Sequence, residues 1–128
     1  MTSEKPLWEP SAEILTKSPM AQFMKTAGQA AGRDFRTFDD LHAWSVEDRA
    51  AFWTAVWDEC GVIGAKGNVA LENGDRMLEA RFFPDGQLNF AENLLKATGP
   101  GDAIVFRGED KVSYRWSWDE LRGRVSKL

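Results

Sequence analysis

The sequence predicts an α+β chain, mainly helical, in which several short helices are followed by a β-hairpin and a C-terminal helix. Three observations carry this reading. Apolar residues recur at helical spacing over 20–31 and again over 46–60, and each run is preceded by a serine suited to cap it. Two strand-like runs, 102–107 and 111–116, flank the turn Gly108-Glu109-Asp110. Ser117 and Glu120 then stand at capping-box spacing before a last apolar stripe.

The chain has 128 residues, enough for one modest domain with its own core. With 43% hydrophobic and 28% charged residues it has globular rather than disordered composition. Six Trp and eight Phe are many for this length, and fit either a core or a surface covered by a larger body. The net charge of −4, with Lys and Arg scattered, argues against nucleic-acid binding, which needs a basic face to neutralise phosphates. The single cysteine, Cys60, excludes a disulfide within the chain and fits a reducing compartment. No run approaches the roughly 20 apolar residues of a membrane span, and the N-terminus lacks an apolar core of signal-peptide type. A cytoplasmic protein is expected.

Taken in order, residues 1–10 predict an extended arm, interrupted by Pro6 and Pro10 and anchored by Trp8, with Ser11 capping a short turn through Ile14 and Leu15. Ser18-Pro19 marks a helix start. Met20, Phe23, Met24, Ala27 and Ala31 share one face, and Gly32 terminates it. This Met/Phe stripe reads as core in preference to a ligand groove. Residues 37–45 predict a short helix with Phe38, Leu41 and Trp44 inward. A second helix is expected to be capped by Ser45, with Asp48 at its third position, an apolar face of Val46, Ala50, Trp53, Val56, Trp57 and Cys60, and Gly61 as terminator. Residues 61–76 read as a surface loop with a short strand at Val69–Leu71. Pro84-Asp85-Gly86 reads as a turn, after which Asn89 caps a helix, Glu92 completes the capping box, and Phe90, Leu94 and Leu95 give the apolar side. The last stripe is Trp118, Leu121, Val125 and Leu128, so the sequence is expected to stop mid-helix, as an incomplete piece of a larger fold.

A search for chemistry assigns no catalytic, cofactor-binding or metal-ligating residue. His42 is the only histidine, and one His with a distant Cys60 is not a metal cluster. Cys60 follows Glu59 at a helix end, where negative charge and the helix dipole disfavour thiolate. The pairs Asp39-Asp40, Asp58-Glu59 and Glu109-Asp110 are sequence neighbours, which point about 100° apart on a helix and do not converge. The stretch GAKG at 64–67 lacks the spacing of a phosphate loop, and no G-x-G-x-x-G, G-x-S-x-G or H-E-x-x-H is present.

Several segments together carry a resemblance. They are LWEPS (7–11), DDLHAWSVED (39–48) with FWTAVWDECGVIG (52–64), RFFPDGQLNFAENLL (81–95), and IVFRGED (104–110) with SWDELRGRV (117–125). In this order they resemble the N-terminal region of the acetoacetyl-CoA synthetase family, within the adenylate-forming acyl-CoA synthetase superfamily. Phe82-Phe83 stands where the family usually has Trp-Phe. Ser117-Trp118 stands where it has Thr-Trp or a similar pair. The resemblance implies a ligase that joins acetoacetate to coenzyme A using Mg and ATP, through acetoacetyl-AMP and pyrophosphate. It implies that the phosphate-binding loop and later acidic and lysine residues lie outside this chain, so no site residue is carried over. Residues 1–100 would be a helical cap region, and 101–128 the hairpin and helix that begin the large adenylating domain. The partner would be the remainder of that domain, with self-association or exposed apolar area expected of the isolated piece, which would itself be inactive. The alternatives are an acetyl-CoA synthetase-like ligase and a stand-alone helical module that binds a protein through its aromatic surface.

Overall fold

Serine, threonine, aspartate and asparagine side chains decide where the helices of this chain begin. A computed structural model describes residues 7–128; of the arm expected over residues 1–10, the first six lie outside the described residues. The chain divides into two compact units. One takes in the residues up to Val62 together with Lys66–Gly86, and the other consists of Ile63–Ala65 with Gln87–Leu128.

In the first unit, α1 (Ala12–Lys17) is capped by Ser11, whose Oγ accepts from the Ile14 N–H at 3.3 Å. Trp8, expected to anchor the chain before it, is 70% exposed. The next helix, α2 (Pro19–Ala31), is capped by Ser18 and ends at Gly32, whose φ of 64° lets the Arg33 N–H turn back onto the Gly28 carbonyl at 2.9 Å. A reciprocal capping box between Thr37 and Asp40 starts α3 (Phe38–Glu47). The following helix, α4 (Arg49–Glu59), is closed at its end by Gly61 at φ 55°. There the Val62 N–H reaches the Trp57 carbonyl at 3.1 Å and the Gly61 N–H reaches Asp58 at 3.0 Å.

The helix expected to start at Ser45 does not start there. Ser45 lies inside α3 and its hydroxyl donates to the His42 carbonyl at 2.8 Å. The break falls at Asp48, which caps α4 by accepting from the Ala51 N–H at 3.0 Å. Both residues are good caps; α3 is already propagating when it reaches Ser45, and the aspartate three residues on takes the role.

The core of this unit is Ala27, Leu41 and Trp44, with Phe23, Met24, Ala31, Phe35, Ala51, Phe52 and Ala55 packed against it. Phe35 lies against Trp44 at 5.0 Å between centroids, and Phe52 meets Trp44 and Phe23 edge-on at 5.8 and 6.0 Å. Two expected inward faces are corrected. Phe38 is 60% exposed. On α4 the residues that meet the core are Ala51, Phe52 and Ala55, while Val46 and Cys60 are exposed. Trp53 and Trp57 turn to another side, where they contact Phe82 at 5.7 Å and Phe83 at 4.9 Å. This helix is apolar on two sides because it is packed on two sides. The strand expected at Val69–Leu71 is shifted: β2 (Leu71–Glu72) pairs antiparallel with β3 (Arg81–Phe82), Leu71 opposite Phe82.

In the second unit, β1 (Gly64–Ala65) pairs antiparallel with β4 (Gln87–Leu88), and α5 (Phe90–Leu94) follows directly. The hairpin forms as expected from β5 (Asp102–Gly108) and β6 (Val112–Ser117), with a register shift between Asp102 and Ile104. Phe106, Tyr114 and Trp116 stack in sequence at 5.1 Å between centroids, and the Arg124 guanidinium sits 4.2 Å from the Trp116 ring centre. The last helix, α6 (Trp118–Val125), begins at the Ser117/Glu120 capping box. Leu128 does not extend its stripe, because the helix closes at Ser126 and Leu128 is fully exposed.

Candidate functional site

The groups with catalytic potential are dispersed. His42 is on the exposed side of α3, its ring stacked on Phe38 at 6.3 Å. Cys60 is exposed at the end of α4. Asp58 is held by Lys66 at 2.6 Å, and Glu59 accepts from the Thr26 hydroxyl at 2.9 Å, so these adjacent acids serve different partners. Asp40 is held below the ordinary carboxylate range, first by the Thr37 backbone N–H at 2.8 Å, then by the Thr37 hydroxyl, and then by the Arg36 N–H at 3.0 Å. Glu47 is lowered by the hydrogen bond and charge of Arg33, 2.8 Å away. Both shifts have structural causes. Among the described residues, no group of three or more His, Cys, Asp or Glu side chains is placed to hold a metal ion.

The GAKG segment is shaped by packing. A Cβ on Gly64 would lie 2.6 Å from the Gln87 carbonyl oxygen, and one on Gly67, at φ 76°, would lie 2.8 Å from the Asp85 Cβ. Lys66 is engaged with Asp58. The glycines admit neighbouring chain in places where a phosphate loop would leave N–H groups open to a ligand.

The methionine face of α2 divides its work. Phe23 and Met24 pack on the core, while Met20 and Met24 also line an open groove of about 900 Å³ between α1, α2 and residues 33–38. Phe38 forms part of its rim.

The stretch RFFPDGQLNFAENLL contains the most organised polar geometry. Phe83 is held at φ 47°, a conformation that costs a bulky side chain on the order of 1–3 kcal/mol. It donates to the Ala70 carbonyl at 3.0 Å and accepts from the Gly86 N–H at 2.7 Å, with its ring against Trp57. Asn89 caps α5 as expected, its Oδ1 accepting from the Glu92 N–H at 3.2 Å. The bond back from Glu92 is not formed there, so the box is half made. Phe90 and Leu94 are 75% and 58% exposed, the reverse of the side expected for them.

Sequence reasoning missed Asn93. Its Oδ1 accepts from the Ile63 N–H at 2.8 Å, and its Nδ2 donates to the Ile63 carbonyl at 2.8 Å and to the Asn89 carbonyl at 3.0 Å. The only signal was a polar residue inside an apolar run, and its partner is 30 positions away.

Comparison with known proteins gives this geometry its context. Residues 38–94 match the family model described as acetyl-coenzyme A synthetase N-terminus. The whole chain is 61% identical to an acetoacetyl-coenzyme A synthetase of Rhizobium meliloti (strain 1021), covering 20% of it. It is 33% identical, over 97% of this chain and 18% of the relative, to malonamoyl-CoA synthetase vrtB of Penicillium aethiopicum. The solved acetoacetyl-CoA synthetase from Streptomyces lividans superposes with a TM-score of 0.84 at 29% identity, over 97% of this chain and 20% of that one. The chain thus spans about a fifth of the length of the relatives it matches.

Proposed function

We propose that the protein containing this chain, whose residues 38–94 match the acetyl-coenzyme A synthetase N-terminus family model and which is similar over nearly its whole length to about a fifth of acetoacetyl-CoA synthetases, is an acid–thiol ligase converting acetoacetate, ATP and coenzyme A into acetoacetyl-CoA, AMP and pyrophosphate. The 61% identity across the whole chain is the observation that carries this reading. A carboxylate oxygen is a poor leaving group, whereas AMP leaves readily from the acyl adenylate when the thiol attacks its carbonyl carbon, which is why such a ligase consumes ATP.

The segment richest in glycine is filled by neighbouring chain, and its lysine is paired with Asp58. No acidic cluster among the described residues suits a metal. We therefore assign the reaction to residues outside 1–128 and give this chain a structural role. Residues 1–100 form a cap region, and 101–128 open the adenylating domain. The rest of that domain is the partner of the exposed apolar residues. The isolated chain is inactive and self-associating. A cytoplasmic location accords with the single cysteine, and no helix of the described residues is long and apolar enough to cross a membrane.

A second reading has one observation in its favour: the malonamoyl-CoA synthetase relative pairs a similar N-terminal region with a different acyl group. ATP–pyrophosphate exchange by the full-length protein separates the two. Exchange that depends on acetoacetate, and exceeds that with acetate or malonamate, supports the proposal. Preference for either of the others replaces the substrate, and no exchange with any carboxylate overturns the ligase.

A further inference from the structure

We propose that Asn93 is a side-chain rung that completes the β1–β4 ladder and fixes its register. The two strands pair at Gly64↔Leu88 and Ala65↔Gln87, so the next opposed pair would be Ile63 and Asn89. At that point one strand ends. Asn89 becomes the cap of α5, and its carbonyl is taken by the Asn93 N–H at 3.2 Å and the Asn93 Nδ2 at 3.0 Å. The Ile63 N–H and carbonyl are then served by the Asn93 amide, both at 2.8 Å. That is the reciprocal exchange a hydrogen-bonded antiparallel pair makes, with a primary amide in place of a peptide group. An amide is required because one end must accept and the other must donate. The two asparagines therefore divide one task. Asn89 starts the helix, and Asn93, one turn on, supplies the bonds that the departing strand gave up.

The device has a reason. Strands of two residues specify their register weakly, and a slip of one residue exchanges the faces of every side chain. Gly64 adds a steric term to the same choice. A Cβ there would lie 2.6 Å from the Gln87 oxygen and 2.8 Å from the Leu88 Cβ, so Ile63 or Ala65 cannot occupy its place opposite Leu88. Gly64 excludes the neighbouring registers and Asn93 rewards the observed one.

Amide hydrogen exchange on the full-length protein tests this, comparing the Ile63 amide with those of Leu41 and Trp44 in the same sample. In Asn93→Ala the Ile63 amide is expected to exchange about tenfold faster, the scale of losing a net hydrogen bond between uncharged groups, while Leu41 and Trp44 keep their protection. Asn93→Asp is the second variant. At neutral pH its carboxylate keeps an acceptor for the Ile63 N–H but cannot donate to the Ile63 and Asn89 carbonyls, whose oxygens now repel it, so the side chain is pushed out of place and Ile63 should lose part of its protection relative to its intrinsic rate. Protonating the carboxyl at lower pH restores a donor and should recover part of it. Unchanged protection of Ile63 in Asn93→Ala overturns the proposal. So does equal loss at Leu41 and Trp44, or an Asn93→Asp protein whose Ile63 protection ignores pH.

Discussion

The two units of this chain are held by different means. The helical unit has a core in the ordinary sense: Trp44 and Ala27 are 2% and 1% exposed, and Phe23, Phe35 and Phe52 surround them. In the unit formed with residues 87–128 no described residue is buried. Its order comes from ladder bonds, caps, and polar side chains set on backbone groups. These include Asp119 Oδ1 accepting from the Gly99 N–H at 2.9 Å, Arg122 donating to the Leu95 carbonyl, and Asn93 on Ile63. Apolar burial is non-directional and scales with area, whereas these bonds are directional and exposed to competition from water. The first unit should therefore respond to volume, and the second to the loss of single donors and acceptors.

The largest expected effect follows from this contrast. Trp44→Ala should destabilise the helical unit by about 3–5 kcal/mol, read by denaturant titration. Trp116→Ala, on a half-buried ring, should cost clearly less, and equal costs would break the comparison. Next comes Gly28→Ala. Alanine normally favours a helix interior over glycine by about 1 kcal/mol. Here its Cβ would stand 2.7 Å from the Arg33 carbonyl oxygen and 3.5 Å from the Phe35 ring. The expected sign is reversed, with a lower Tm from overpacking of about 1–3 kcal/mol. A raised Tm would show that the turn after α2 yields easily. Asn89→Ala should cost about 1 kcal/mol through the lost cap of α5. If that variant kept its Tm while the full-length protein lost activity, the cap reading of Asn89 would fail. The smallest effect is pH dependence at the start of α3. Asp40 has a lowered folded pKa, so its contribution is present above the unfolded carboxylate range and is lost as pH falls through the folded value. Acid titration of stability should show this loss at the low end of the carboxylate range, and Asp40→Asn should flatten it.

Much of the local structure was legible because its causes are local. Ser11, Ser18, Asn89 and Ser117 were each read as caps, and each accepts from an N–H three residues on. The glycines at 32 and 61 and the hairpin turn at 108–110 were read from the same kind of short-range chemistry. Ser45 failed because Asp48, three residues away, was an equally good cap. Local propensity ranks such candidates without choosing between them. The faces of the helices were read less well. Phe38, Phe90 and Leu94 are apolar and in phase, yet exposed, because periodicity shows which residues share a side and leaves open what lies opposite.

The sequence by itself determined most of the helix caps, the turns and which family the chain resembles, since those depend on residues within a few positions of one another or on their order; the start of α4 and the end of α6 it did not. Only the tertiary structure decided that Ala51, Phe52 and Ala55, rather than Trp53 and Trp57, face the core of the helical unit. It also decided that Asn93 closes on Ile63. Both outcomes depend on which distant segments come together, and no pattern of near neighbours encodes that distance.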